Sequence, residues 1–273
     1  MRPVLNATRE DLIARFQHQA DSIRSINAAV EFNPVAGSSY SGVIEDYRDI
    51  RGFILAQRPA HLRMIGQAPV VAKNIFDMVS DGETFRIFIP PKNKFVVGPA
   101  RFERRTEKPI ENLRPQHLVE ALFWSAIPAG AALLFEEFDA PPDRFYVLTE
   151  LRPLPADCSA FSAALAPELA RKIWFDRAGL TISRVQIYGP GGRVETDARY
   201  SAWQTASAAD FPRTIRLLRP REDYSLEIRI RKVTLNEPIA AERFTLEQPP
   251  GTELVRIEAR PDDAPPGLPE PRP

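Results

Sequence analysis

The hydrophobic pattern at the start of the chain has a helical period. Residues 8–26 read TREDLIARFQHQADSIRSI, in which Leu12, Phe16 and Ile23 follow one another on one face. Thr8 precedes this stretch as the predicted N-cap, and acidic residues in the first turn suit the positive end of the helix dipole. We therefore expect an amphipathic helix whose apolar face lies on another element.

After this helix, apolar and polar residues alternate in short runs that end at Gly, Pro, Asp or Asn. The alternation predicts strands at NAAVEFN (27–33) and YSGVIEDYRDIRGFILAQRP (40–59), and a hairpin in SDGETFRIFIPPKNKFVVGP (80–99). Further strands are predicted after residue 132, separated by the turn sequences DRAG, GPGG and PRED. Strands at this spacing without intervening helices indicate an antiparallel meander.

A second helix is predicted at LRPQHLVEALFWSAIP (113–128), where Pro115 suits the first helical position and Pro128 ends the helix. A twisted sheet of about a dozen strands curls or closes, and its apolar concave face must be covered. The expected fold class is therefore mainly β (α+β). It is a curved antiparallel sheet that forms an incomplete β-barrel, with helices covering its concave face.

Composition narrows the partners and the domain boundaries. The 36 basic and 36 acidic residues leave no net charge, which disfavours nucleic acid as a partner. The 27 prolines include a cluster in RPDDAPPGLPEPRP (260–273), which has little apolar surface to bury. We expect one domain over 1–257 and a disordered proline-rich tail over 258–273. The single Cys158 excludes an intrachain disulfide.

The residues that usually carry catalysis or bind metals do not form recognisable motifs. His18, His61 and His117 lack a second histidine at metal-binding spacing, and we expect His117 at the surface. There is no G-x-S-x-G, P-loop or G-x-G-x-x-G sequence. Glu136 and Glu137 lie on one predicted strand and point to opposite faces. We expect no catalytic residue, metal or cofactor, although a hydrolase with carboxylates on separate strands stays an alternative.

Several short motifs occur in a particular order along the chain. They are ILAQRPAHLRM (54–64), FDMVSDGETFRIFIPPKNKFVVG (76–98), ARKIWFDRAGLTISRVQIYGPGGRVETDARYSAW (170–203) and ERFTLEQPPGTELV (242–255). This order resembles the lipoprotein-localisation carriers of the LolA/LolB type. The resemblance implies an incomplete barrel with a helical lid over a cavity that holds lipid or lipoprotein acyl chains. Two stretches, 152–170 and 205–212, look like loops inserted relative to that family.

The apolar strand faces supply the residues that would line such a cavity. The candidates are Ile54, Leu62, Met64, Phe76, Met78, Phe85, Ile87, Ile173, Phe175, Val185, Ile187, Leu226, Ile228 and Ile230. The lid would add Phe16, Leu122, Phe123 and Trp124. For each of these residues alone, ordinary core packing is the alternative.

Two further assignments rest on the resemblance. It implies that Arg58 helps to hold the lid closed, and the alternative is a surface arginine on an edge strand. It also implies that Pro69, Val70 and Val71 form a loop that faces the membrane in the anchored branch of the family. The alternative is that Val70 and Val71 begin the next strand.

The predicted function is non-enzymatic binding of acyl chains, because an apolar cavity gains about 0.8 kcal/mol per buried CH₂ without any catalytic group. A structural protein whose helices fill the half-barrel is the alternative. We expect a monomer that binds lipid acyl chains or lipoproteins and contacts the outer membrane. We expect it not to bind nucleic acid. It would be periplasmic or anchored to the outer membrane, with its signal and anchor cysteine outside this sequence. The start MRPVLNAT suits a short tether, and carrier and acceptor roles both stay open.

Overall fold

The described part of the chain forms one large sheet and two α-helices. The computed structural model describes residues 4–36, 45–46, 50–68, 73–100, 114–140, 142–152, 167–206 and 209–257. The helices are α1 (Arg9–Ser22) and α2 (Pro115–Leu122). The strands are β1 (Ser25–Ala36), β2 (Glu45–Asp46), β3 (Ile50–Gln57), β4 (His61–Gln67), β5 (Asn74–Ser80), β6 (Thr84–Ile89), β7 (Lys94–Pro99), β8 (Leu133–Ala140), β9 (Asp143–Leu151), β10 (Leu169–Asp176), β11 (Thr181–Tyr188), β12 (Val194–Ala206), β13 (Ala209–Arg219), β14 (Tyr224–Leu235) and β15 (Glu253–Arg256).

The strands lie in the order β15-β7-β6-β5-β4-β3-β1-β14-β13-β12-β11-β10-β9-β8, and β2 pairs with the end of β1. Neighbouring strands are antiparallel, except that β15 runs parallel to β7. The two outermost strands, β8 and β15, do not pair with each other, so the sheet is not closed. The predicted fold class, a mainly β protein built on a curved antiparallel sheet that forms an incomplete barrel, is confirmed.

Side chains alternate between the two faces of the sheet, as a period of two requires. In β4, Leu62 and Met64 are buried in the core, whereas Arg63 lies on the opposite face. There its Nε donates to Asp77 of β5 over 3.0 Å. The inner face and the buried residues of both helices form one hydrophobic core. This core places the helices against the concave side of the sheet.

Helix α1 begins as predicted but ends earlier. The Thr8 side chain accepts a hydrogen bond from the Asp11 amide, and the Asp11 carboxylate accepts one from the Thr8 amide, which together form a capping box. The helix ends at Ser22, and the predicted extension to Ile26 is wrong because Ser25 already pairs with Gln57 in the sheet. Neither helix within the described ranges has the length and apolarity that a membrane span requires.

Two other predictions of local structure are corrected. The long strand predicted over 40–59 is divided where it is described, because Glu45–Asp46 pair back on β1 while Ile50–Gln57 form β3. The described residues of the stretch 205–212 are not an inserted loop, since they belong to β12 and β13 and Ala206 pairs with Ala209. The tail over 258–273, Cys158 and most of the 152–170 stretch lie outside the described residues.

Gly52 marks a place where β3 passes very close to its neighbours. A β-carbon at this position would lie 2.0 Å from the carbonyl oxygen of Ile65 and 2.7 Å from the ring of Phe32. We expect Gly52→Ala to lower the free energy of unfolding by about 1–3 kcal/mol in urea denaturation, because the core cannot absorb the added carbon without strain. The control is Gly179→Ala, whose added carbon would meet Thr181 at an ordinary 3.7 Å. Equal stability of the two variants would contradict this close approach.

Candidate functional site

The predicted cavity wall lies on the inner face of the sheet. Most of its residues are buried in the core with no more than 4% of their surface exposed; they are Ile54, Leu62, Met64, Met78, Ile173, Phe175, Val185, Leu226, Ile228 and Ile230. Phe76 and Ile87 are partly buried and pack against this core. Phe85 is buried outside the core cluster, and Ile187 is half-buried outside it. The structure therefore gathers most of the predicted wall into one apolar surface, and the binding role of these residues stays a prediction.

The predicted lid residues pack directly against this wall. Phe16 is fully buried, and Leu122, Phe123 and Trp124 are each at most 4% exposed. The ring centroids of Phe16 and Trp124 lie 6.3 Å apart, so α1 and the end of α2 contact each other in front of the wall. We call residues 121–127 the lid segment. Its buried side chains, together with Phe16, belong to the same hydrophobic core as the wall.

A buried tyrosine connects the lid segment to the sheet. Trp124 Nε1 donates to the hydroxyl of Tyr200 on β12 over 2.9 Å, and that hydroxyl donates to the Ala121 carbonyl over 3.1 Å. The two rings meet edge to face with centroids 5.1 Å apart. Burial raises the pKa of Tyr200 well above its ordinary value, so the phenol stays protonated and can donate.

Arg58 joins both helices to the turn between β3 and β4. Its Nε donates to the Ile23 carbonyl over 3.0 Å, and its Nη2 donates to the carbonyls of Ala20 (2.7 Å) and Trp124 (3.0 Å). The guanidinium also lies 5.1 Å from the centre of the Phe123 ring. Carbonyls at a helix C-terminus lack helical partners and favour a cation, which explains why an arginine fits here. The role in holding the lid closed that the family resemblance implies for Arg58 stays a prediction.

A second arginine contacts the next residue of the lid segment. Arg171 of β10 donates from Nη1 to the Ser125 carbonyl over 2.6 Å, and its guanidinium lies 5.0 Å from the centre of the Phe16 ring. Its Nε also donates to Glu150 of β9 over 2.8 Å. Sequence reasoning missed this residue. The available signal was its spacing, because Arg171 precedes Ile173 by two residues and therefore lies on the same inner face.

Gln17 of α1 supplies a fourth attachment for the lid segment. Its side-chain amide donates to the Ile127 carbonyl over 3.2 Å and accepts from the Ile127 amide over 2.9 Å. Side chains therefore bind main-chain atoms of the lid segment at four residues, Ala121, Trp124, Ser125 and Ile127. The sequence offered no specific signal for Gln17, since glutamine on a helix is ordinarily solvated.

An open cavity of about 480 Å³ lies beside the lid, between α1 and the strand ends near the turns after β10 and β12. Phe175, Ile182 and Trp203 supply its apolar part, while the exposed Arg15 and Asp210 lie at its rim. Its volume lies within the range of pockets that bind small ligands. Of the predicted wall residues, only Phe175 is among those that line this cavity.

A buried polar cluster lies at the start of α2. His117 was predicted at the surface, but it is buried, with only 3% of it exposed. Its Nδ1 lies 2.6 Å from the Tyr224 hydroxyl on β14, which gives the buried ring a hydrogen-bond partner. Burial, together with the positive charges of Arg219 and Arg114, lowers the pKa of His117 well below its usual value. Burial raises the pKa of Tyr224 above its usual value. Near neutral pH the pair is therefore a neutral imidazole and a protonated phenol.

Among the described residues, Glu136, Glu137 and Glu150 do not pair at the spacing that glycosidases use. Glu137 binds Arg177 over 3.1 Å, whereas Glu136 lies near Thr149, so the doublet points to opposite faces as predicted. Glu137 and Glu150 both face inward on neighbouring strands, but the register separates them by four residues, or about 13 Å. That distance exceeds the range of about 5–9.5 Å used by glycosidases. No cluster of three or more potential metal ligands occurs among the described residues.

The predicted membrane-facing loop, Pro69 to Val71, lies outside the described residues. On either side of it, the Ala68 amide donates to the Lys73 carbonyl over 2.9 Å, which closes the connection between β4 and β5. Its proposed contact with a membrane stays a prediction.

The open sheet and the helices that cover its concave face make up a LolA-type fold. Solved structures bear this out. The chain is similar to a DUF1329 family protein from Desulfovibrio piger, with 13% identity, coverage of 86% of this chain and 95% of that one, and a TM-score of 0.52. It is also similar to a LolA superfamily protein from Nitrosomonas europaea, with 12% identity, coverage of 88% and 99%, and a TM-score of 0.51.

A third similar structure is a candidate outer membrane lipoprotein-sorting protein domain from Vibrio parahaemolyticus. It has 11% identity, coverage of 85% of this chain and 94% of that one, and a TM-score of 0.51. No protein-family model and no curated protein matches the chain. At these identities the structural likeness establishes the fold, and at that level it confirms the resemblance found in the sequence.

Removing the Arg58 guanidinium should loosen the lid. We expect Arg58→Gln to lower the free energy of unfolding by about 2 kcal/mol, since three main-chain carbonyls lose a charged donor. Differential scanning calorimetry should show a decrease of about 4–8 °C in the transition temperature. Arg213→Gln, at an exposed position on β13, is the matched control and should leave it nearly unchanged. Identical transition temperatures for the two variants would contradict a fastening role for Arg58.

The buried His117 predicts a pH dependence of stability. In the unfolded chain the pKa of this imidazole is about 6.5, whereas its pKa in the folded protein is lower. The unfolded state therefore binds the proton first, and stability falls as the pH drops below about 6.5. Between about pH 7.5 and 5.5 we expect a loss of about 1 kcal/mol in urea denaturation that His117→Gln removes. His18→Gln, at an exposed position on α1, should keep the loss; a loss that persists in His117→Gln would assign it to other groups.

Proposed function

We propose that this protein binds lipid or lipoprotein acyl chains without catalysing a reaction, and that it acts in lipoprotein transport or insertion in the bacterial cell envelope. One observation carries the proposal. The inner face of the sheet carries one large cluster of buried apolar residues, and the lid in front of it is fastened by a few side chains that bind main-chain atoms. A cover attached in this way can leave the wall without disturbing the strands behind it.

The free energy needed to detach the lid is comparable with the free energy gained when an acyl chain is buried in its place. The hydrogen bonds from Arg58, Arg171 and Gln17 to the lid cost about 1 kcal/mol each to break. An acyl chain that buries about ten CH₂ groups gains about 8 kcal/mol. Because the chain would take the place of lid side chains such as Phe16 and Trp124, the net change is small. Loading and release are then both accessible, as a carrier requires.

The wider assignments follow from this proposal. Residues 1–257 form one lipid-binding domain, and the ligands are acyl chains or lipoproteins. The similar structures include a LolA superfamily protein and a candidate lipoprotein-sorting domain, which supports a periplasmic or outer-membrane-anchored location. The protein works as a monomer, and the loop from Pro69 to Val71 contacts the outer membrane.

A second candidate function is favoured by the packing of the core. The wall residues and the lid residues are buried against each other, as in a protein whose half-barrel is permanently filled. In that case the fold would serve as a structural or interaction scaffold. The two candidates differ in whether an acyl chain can enter the molecule, which a direct binding measurement decides.

Uptake of a fluorescent long-chain fatty acid tests the proposal. We expect the delipidated protein to bind one probe molecule, and native mass spectrometry of the freshly purified protein to show bound lipid. Ala14→Trp, which fills the cavity beside α1, should weaken probe binding by about tenfold if chains enter there. Ala240→Trp, at an exposed position far along the chain, is the control. A delipidated wild-type protein that takes up no probe would contradict the proposal and support the filled scaffold.

A further inference from the structure

Arg58 lies at the end of the apolar wall, and among the described residues its donors bind neutral main-chain carbonyls. We propose that the ligand carries an anionic head group, a carboxylate or a phosphate, and that Arg58 binds this group when the lid is open. The inference rests on the proposed function, because it requires an acyl chain against the wall. It adds the chemical class of the ligand and the residue that selects it.

The position of Arg58 suits the head of an amphiphile. Ile54 and Ala56 precede it at intervals of two residues on the inner face of β3, and both are buried in the core. Arg58 therefore continues the line of the wall at the point where the strand turns into β4. From Ile50 to Arg58 the strand extends over about 26 Å. One acyl chain spans about 15 Å, half of a bilayer core, so a chain along this wall can place its head beside Arg58.

The charge of Arg58 has no carboxylate partner among the described residues. Its donors bind the carbonyls of Ala20, Ile23 and Trp124, which are neutral dipoles. Asp21 lies near enough to favour the charged form of Arg58, but the two side chains form no ion pair. Arg171, the other arginine at the lid, differs in this respect because Glu150 neutralises it.

Opening the lid would change the surroundings of these two arginines unequally. The Trp124 carbonyl would leave Arg58 with the lid segment, and any movement of α1 would also remove its other two acceptors. A half-buried guanidinium without acceptors beside an apolar wall is unfavourable. A carboxylate or phosphate restores the lost bonds, and the planar fork of arginine binds either group through two parallel hydrogen bonds. Arg171 would keep Glu150 and would not require the ligand's charge.

Matched pairs of ligands test this inference. One pair is a 16-carbon fatty acid and its uncharged alcohol; the other is a monoacylglycerol phosphate and the corresponding monoacylglycerol, all measured by probe displacement at about pH 8. We expect the anionic member of at least one pair to bind wild-type protein about tenfold more tightly than its neutral partner. Arg58→Gln should bring that ratio close to one. Because loosening the lid affects both members of a pair alike, the ratio reports only the head group.

Arg213→Gln removes an exposed arginine and should keep the wild-type ratio. If Arg58→Gln does not fold, Arg58→Lys replaces it, and the preference must then fall because the ammonium lacks the planar fork. A preference in either pair that depends on Arg58 supports the inference and identifies the head group. If the wild-type protein binds the anionic and neutral members of both pairs equally, the inference is overturned while the proposed function stands. A preference that persists in the Arg58 variant overturns it in the same way. Failure of every ligand to bind overturns the proposed function itself.

Discussion

The concave face of the open sheet carries a large apolar surface beside charged groups such as Arg171 and Glu150, and water must be kept away from its apolar part. A closed barrel would fill its own interior, but here β8 and β15 stay apart, so the cover has to come from elements outside the sheet. Two helices supply that cover. The rest of the structure follows from how they are attached, because each helix is too short to be stable without the sheet behind it.

Both apolar and polar side chains attach the two helices to the sheet. Phe16 and Trp124 supply contact area, while Arg58 and Arg171 bind the carbonyls of consecutive residues, Trp124 and Ser125. The two arginines come from opposite halves of the sheet, so the lid segment is held between them. Hydrogen bonds from side chains to main chain are directional and individually weak. Such an attachment fixes one closed position and still permits release, which a core held by apolar contacts alone would not provide.

The period-two and helical patterns were enough to predict most strands and the positions of both helices, because burial on one face appears directly in the order of apolar and polar residues. The predicted end of the second helix at Pro128 is wrong, since α2 ends at Leu122. They could not predict features that depend on distant partners. His117 lies on a polar-looking helix start, and its burial depends on Tyr224, which is remote in sequence. Arg171 was missed because its contacts with Glu150 and with the Ser125 carbonyl join parts of the chain that are remote in sequence. The end of α1 was misplaced because Ser25 begins the sheet.

The central claim is that lid and acyl chain compete for the same apolar wall. Amide hydrogen exchange of the lid segment, measured with and without saturating 16-carbon fatty acid, tests it most directly. The account predicts faster exchange at residues 121–127 and in the last turn of α1 when the ligand is bound, while β13 and β14 stay protected. Ligand binding that leaves exchange in the lid segment unchanged, or that slows it, would contradict the account.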